Sequence, residues 1–75
     1  MSIEIVFGQQ LRKIREERKL SQEELAFLAK LDRTYISLLE RGKRRPTLNT
    51  IFALAGQLNI SPSELVRLVE EKVEK

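Results

Sequence analysis

The chain has no cysteine and no histidine among its 75 residues. Disulfides and thiolate metal sites are therefore excluded, and imidazole catalysis and His ligation with them. No apolar run approaches the roughly 20 residues of a membrane span. The N-terminus lacks the basic start, apolar stretch and small-residue site of a signal peptide. The adjacent carboxylates Glu16–Glu17 and Glu70–Glu71 lie on solvated helix faces and do not converge as acid–base partners. No phosphate-cradling glycine loop or nucleophile motif occurs. Enzymatic function is the weakest reading, and the default is a cytoplasmic protein with no cofactor and no metal. A chain this short makes one domain over residues 1–75, near the size at which a single core still folds unaided. It leaves no second domain to hold a small-molecule inducer.

What is present is a hydrophobic fraction of 41%, suited to a folded chain, and a net charge of +3 that is unevenly spread. Lys30, Arg33, Arg41, Lys43, Arg44 and Arg45 fall within one short stretch against only Asp32 and Glu40. The segment from Ser61 onwards is slightly acidic. A basic run is often no more than a solvated face. This one coincides with a helix pattern suited to phosphate binding, and nucleic acid is the expected partner.

The apolar periodicity and cap residues predict an all-α chain of five helices, at about 4–19, 22–29, 33–41, 48–58 and 62–73. Phe7, Leu11 and Ile14 form the stripe of the first, with Arg18 extending it as an alkyl stem and Gly8 weakening the helix slightly. Ser21 and Glu24 form a capping box, with a Leu20–Leu25 staple. Asp32 is the cap for the third helix, and Gly42 closes it in a left-handed conformation. Thr47 caps the fourth, whose apolar face is Leu48, Ile51, Leu54, Ala55 and Leu58, and Asn59 ends it. Ser61, Pro62 and Glu64 make the clearest helix start, and the fifth helix frays into the terminal charges. Lys30 stands where the joint between helices two and three calls for a left-handed residue, at a cost of about 1 kcal/mol. Two short helices with a tight joint form a helix-turn-helix. Its seam is Leu25, Ala26, Ala29, Ile36 and Leu39, which turns Arg33, Thr34, Tyr35, Ser37 and Leu38 outwards.

The run from Gln22 through Leu25, Ala26 and Ile36 to Leu39-Glu40-Arg41-Gly42 resembles the DNA-binding domain of the lambda repressor and Cro group, the xenobiotic-response-element family. Asp32 to Ser37 is similar to the controller proteins of restriction-modification systems. The resemblance covers nearly the whole chain and implies a five-helix lambda-repressor-like fold. It further implies an autoregulatory protein that activates at one site and represses at another. In that group an Arg and a Glu matching Arg15 and Glu40 form a partly buried pair; the alternative for Arg15 is a phosphate contact.

Side-chain chemistry assigns the remaining roles. Arg33 is the candidate reader of guanine O6 and N7, and Thr34 of a base edge or thymine methyl. Tyr35 lies against a base or phosphate, or is partly packed. Leu38 senses a thymine methyl or is half-buried. Gln22, Ser37, Lys43, Arg44 and Arg45 are the candidates for phosphate. One recognition helix reads few base pairs, so a homodimer on a palindromic operator is expected, with Ile60, Val66, Val69 and Val73, joined by Phe52, as its contact; the alternative for this stripe is simple core packing. Phe27 and Leu28 pad the core edge or meet a protein such as RNA polymerase. The rival function is a protein-interaction module of the same fold, an antitoxin or bridging factor, using those same apolar residues.

Overall fold

A computed structural model describes residues 1–73. It contains helices α1 (Ile3–Glu17), α2 (Gln22–Ala29), α3 (Arg33–Glu40), α4 (Leu48–Gln57) and α5 (Pro62–Val73). Glu74 and Lys75, where the sequence reading has the last helix fray, lie outside the described residues. The principal contacts run from α1 to α3, α3 to α2, α2 to α4, α4 to α5 and α5 back to α1, so the five helices close a ring. Inside it lie Val6, Phe7, Leu11, Ile14, Leu25, Ala26, Ile36, Leu39, Leu54, Ala55, Leu58, Leu65 and Val69.

Helix starts follow the caps read from the sequence, with two departures. Ser2, Ser21, Thr47 and Ser61 each accept from the backbone N–H three residues on. Asp32 has the extended backbone of a cap, but its side chain makes no capping bond. Glu24 completes the box at Ser21, whereas the Glu64 carboxylate turns to Arg67.

The helix ends share one device. Lys19, Lys30, Gly42 and Asn59 all have φ between 59° and 72°. After each, the next residue returns its N–H to the carbonyl five positions back: Leu20 to Arg15, Leu31 to Ala26, Lys43 to Leu38 and Ile60 to Ala55. This is the Schellman arrangement, in which the residue after the left-handed one packs onto the preceding helix. Leu20, Leu31 and Ile60 do so against the core. The fourth turn presents Lys43 instead, which is exposed, and there the chain leaves the core as a basic loop. Periodicity puts Lys19 inside α1, but the helix ends two residues earlier because Lys19 makes this turn.

Several side chains stand where periodicity does not put them. Leu48, expected in the core, is 72% exposed, because it sits in the first turn of α4, beyond the reach of α2. Phe27 is 83% exposed and Leu28 43%, so neither pads the core edge. Val69, assigned to a dimer contact, is 7% exposed and belongs to the core, since α5 turns it towards α1. Ile60 is half-buried against the same core through its turn. Arg18 extends no apolar stripe: it is exposed, and its Nε donates to the Leu58 carbonyl at 2.8 Å, satisfying the open end of α4.

Gly8 is more than a weak helix former. A Cβ there would lie 2.6 Å from the Glu40 carbonyl oxygen and nearer still to that of Leu39. The α1 backbone therefore rests directly on the end of α3. At Gly56 in α4, an added methyl group would meet nothing within 4 Å. Gly8→Ala is expected to lower the melting temperature, at about 1–3 kcal/mol for a backbone clash. Gly56→Ala is expected to raise it, by about 0.4–1 kcal/mol. Thermal unfolding by circular dichroism distinguishes the two signs.

Candidate nucleic-acid interface

Helix α3 is eight residues long, about 12 Å at 1.5 Å per residue. A helix so short has no stability alone and takes its position from its neighbours. Ile36 and Leu39 are fully buried, and Glu40 is nearly so. The opposite side begins with Arg33 and Thr34, both exposed. Ser37 and Leu38 are half-buried further along.

The buried end of α3 is held by a bidentate pair. Arg15 Nε donates to Glu40 Oε2 at 2.5 Å and Nη2 to Oε1 at 3.0 Å. Arg15 Nη1 donates to the Leu20 carbonyl at 2.8 Å, and Gln22 Nε2 donates to Glu40 Oε1 at 3.0 Å. Both ends of the pair are thereby satisfied, as buried charges require. Hydrogen bonding to Glu40 raises the Arg15 pKa above the ordinary arginine value despite the opposing effect of burial. The stability linked to that shift is present below the unfolded arginine value and is lost only as pH rises through the raised one, above the working range.

These contacts alter the roles of two sequence-assigned residues. Gln22 stands at the first position of α2 as expected, but its amide is engaged by Glu40, so one N–H remains for an external acceptor. Tyr35 is half-buried, and its hydroxyl meets Thr50 Oγ1 at 3.3 Å. Thr47 donates to the same Thr50 oxygen at 3.1 Å, which ties the first turn of α3 to the start of α4. Tyr35 is thus partly packed, with part of its side chain still exposed. Sequence reasoning misses Thr50; its buried hydroxyl, 7% exposed, has no periodic signature.

Beyond α3 the loop carries Lys43, Arg44 and Arg45, all exposed. Arg45 Nε lies 2.9 Å from Glu4 Oε2 in the first turn of α1. A hydrogen bond from its own backbone N–H, and then Arg45, hold the Glu4 carboxyl below its usual value against the opposing effect of desolvation. Lys43 and Arg44 form no ion pair among the described residues. Arg33 and Thr34 are thus exposed at one end of α3, and three exposed cations follow its other end. No cluster of His, Cys, Asp or Glu suited to a metal occurs among the described residues. No described helix is long and apolar enough to cross a membrane.

A second surface lies where α4 and α5 meet. Leu48, Ile51, Phe52, Pro62 and Val66 line one shallow groove. Ile51 and Val66 continue into another with Ile3, Phe7 and Pro46. Phe52 is 62% exposed and Val66 45%. Of the residues expected at a dimer contact, Val66, Val73 and Phe52 are exposed, while Val69 and Ile60 serve the core.

For the Arg15–Glu40 pair, Glu40→Ala is expected to cost about 3–5 kcal/mol, since it strands a buried guanidinium. Arg15→Met combined with Glu40→Leu is expected to recover much of that loss. Urea unfolding of the three proteins checks the order.

Comparison with known proteins places this architecture. Residues 11–65 match the helix-turn-helix family. The control protein C.BamHI of Bacillus amyloliquefaciens is 42% identical over 66 residues, covering 87% of this chain and 82% of that protein. The immunity repressor protein of Bacillus phage phi105 is 46% identical over 59 residues, but this chain spans only 41% of the repressor's length. Among solved structures, the restriction-modification controller protein C.AhdI from Aeromonas hydrophila is 51% identical with a TM-score of 0.79, over 81% of this chain and 92% of that one. The controller C.Esp1396I, solved bound to a 25-base-pair operator site, is 29% identical with a TM-score of 0.87, over 100% of this chain and 99% of that one. The chain belongs to the helix-turn-helix family and is similar, within it, to the restriction-modification controller proteins.

Proposed function

We propose that this protein is a sequence-specific transcriptional regulator that binds double-stranded DNA as a homodimer on a two-fold-symmetric operator, in the manner of a restriction-modification controller. One observation carries the reading: α3 is buried along one side and presents Arg33 and Thr34 free at its N-terminal end, with an unburied basic loop beyond its far end. With the N-terminal end of α3 in the major groove, its other end and the following basic loop fall towards the phosphate backbone. Arg33 reads guanine and Thr34 a neighbouring edge. Ser37, Lys43, Arg44 and Arg45, with the free N–H of Gln22, hold phosphates. Tyr35 and Leu38, both half-buried, contribute apolar contact at the margin of the groove.

Dimerisation is assigned to the exposed surface at α4 and α5, through Leu48, Phe52, Val66 and Val73. In the ring this edge excludes α3, so pairing there leaves both recognition helices free. The molecule measures 32 × 23 × 22 Å. Two copies joined across that edge hold their α3 helices between one and two molecular widths apart, a range that includes the roughly 34 Å turn between half-sites. Occupancy then follows protein concentration through dimerisation.

Phe27, 83% exposed beside Leu28 and Glu23, favours a protein contact in addition, on a side of α2 turned away from the core. RNA polymerase is the partner expected for an activator. The same surface serves the rival reading, a module whose main ligand is a protein.

Sequences selected from a random DNA pool should be palindromic. Arg33→Ala is expected to cost about 1–3 kcal/mol and to relax one position of each half-site. Equal weakening on every sequence would instead make Arg33 a backbone contact. Val66→Glu is expected to shift the protein to monomer in sedimentation and to weaken operator binding, with the fold retained because Val66 is exposed. A protein that selects no DNA, yet captures a single protein partner through Phe27, would overturn the regulator reading.

A further inference from the structure

The basic loop is not uniformly available. Of its three cations, Arg45 alone is engaged by a carboxylate among the described residues. The Arg45 side chain is 87% exposed, whereas that of Glu4 is only 28% exposed. Glu4 stands in the first turn of α1, and the more exposed Arg45 side chain reaches back to it from the loop. Around them Ser2, Gly42, Lys43 and Arg44 complete a polar recess. It holds one negative charge among three positive ones, at the point where α1 meets the exit from α3.

We propose that Glu4 is an intramolecular competitor for Arg45: its carboxylate occupies the guanidinium that a DNA phosphate takes on binding, and so it sets the strength of the loop's phosphate grip. This inference rests on the DNA-binding reading and assigns a role within that surface. A carboxylate and a phosphate oxygen make the same charge-assisted bonds to guanidinium, so the two exchange for each other. The Glu4–Arg45 pair is an exposed one and therefore weak enough to be displaced. A phosphate that displaces it also meets the repulsion of the Glu4 charge left beside it. Both effects lower affinity for every sequence equally, because phosphate contacts carry no base information. Glu4 thus weakens non-specific binding without weakening the discrimination made by α3.

The test uses the full chain and a fluorescently labelled random-sequence duplex of about 30 base pairs, since non-specific binding reports the phosphate contacts directly. Four proteins are compared with wild type by anisotropy at about 0.1 M salt, where the Debye length is about 10 Å: Glu4→Gln, Arg45→Ala, the double variant, and Glu17→Gln as a charge-matched control. Glu17 lies thirteen positions along α1, about 20 Å away, more than a Debye length at about 0.1 M salt. Glu4→Gln is expected to bind about two- to fivefold more tightly than wild type, and Glu17→Gln within error of it. Arg45→Ala is expected to bind more weakly, and adding Glu4→Gln to it is expected to restore little. A gain from Glu4→Gln that persists undiminished without Arg45, or no gain at all, overturns the proposal while leaving the regulator reading intact. Failure of the wild-type chain to bind any duplex overturns both. Circular dichroism melts establish that the variants are folded at the assay temperature.

Discussion

The placement of α3 depends on its junction with α1. Gly8 lets the α1 backbone rest on the Leu39 and Glu40 carbonyls, and Arg15 grips the Glu40 side chain from the same helix. These are two constraints of different kind. The glycine fixes how near the helices come, and the bidentate pair fixes their rotation, because a planar guanidinium matches a carboxylate in only a few orientations. A buried ion pair is poor evidence of added stability, since desolvation offsets most of its attraction. Its value here lies in register: a rotated or slipped α3 would leave two charges unpaired in the interior. An eight-residue helix held in this way presents Arg33 and Thr34 at a defined angle without contributing stability of its own.

Gln22 extends this constraint to the surface. Its amide joins the pair from the first position of α2, so α1, α2 and α3 meet at one carboxylate. Tyr35 does the same work at the opposite end of α3, through Thr50 to α4. The recognition helix is therefore fastened at both ends by polar contacts and along its length by Ile36 and Leu39. Anything touching the free N–H of Gln22 acts on a group already linked to that junction.

The five helices were legible because their starts are local. Ser21 with Glu24, Thr47, and Ser61 with Pro62 each act over three or four residues, a range that sequence spacing reports directly. The Arg15–Glu40 pair was legible only through family resemblance, since no spacing rule joins positions so far apart. What remained hidden depends on which neighbour arrives. Leu48 continues the stripe of α4 perfectly well, yet its side chain is left exposed while Thr50 in the same turn is buried. Val69 lies on a second stripe, surplus to one small core by periodicity alone, and α1 covers it. Gly8 reads as a mild defect until α3 is placed against it. Lys19 gives no hint of a left-handed turn, because lysine does not favour that conformation and the return of Leu20 to the core is what stabilises it.

The exit from α3 shows how a binding surface arises from a folding rule applied without its last term. At three turns the left-handed residue is followed by Leu20, Leu31 or Ile60, and burial of that side chain draws the chain back to the core. At the fourth, Lys43 cannot be buried without losing the hydration of its charge. The backbone bond to Leu38 still forms, so α3 ends cleanly, but no apolar side chain draws the following residues inward before Pro46, and Arg45 is held by its exposed pair with Glu4. Lys43, Arg44 and Arg45 consequently remain exposed beyond the end of α3. In the proposed function, reading and grip are thereby divided: the buried side of α3 holds its free end in place for bases, while the loop supplies charge that needs reach and not precision. Under the proposal for Glu4, a single neighbouring carboxylate then alters the strength of grip without disturbing any contact that positions α3.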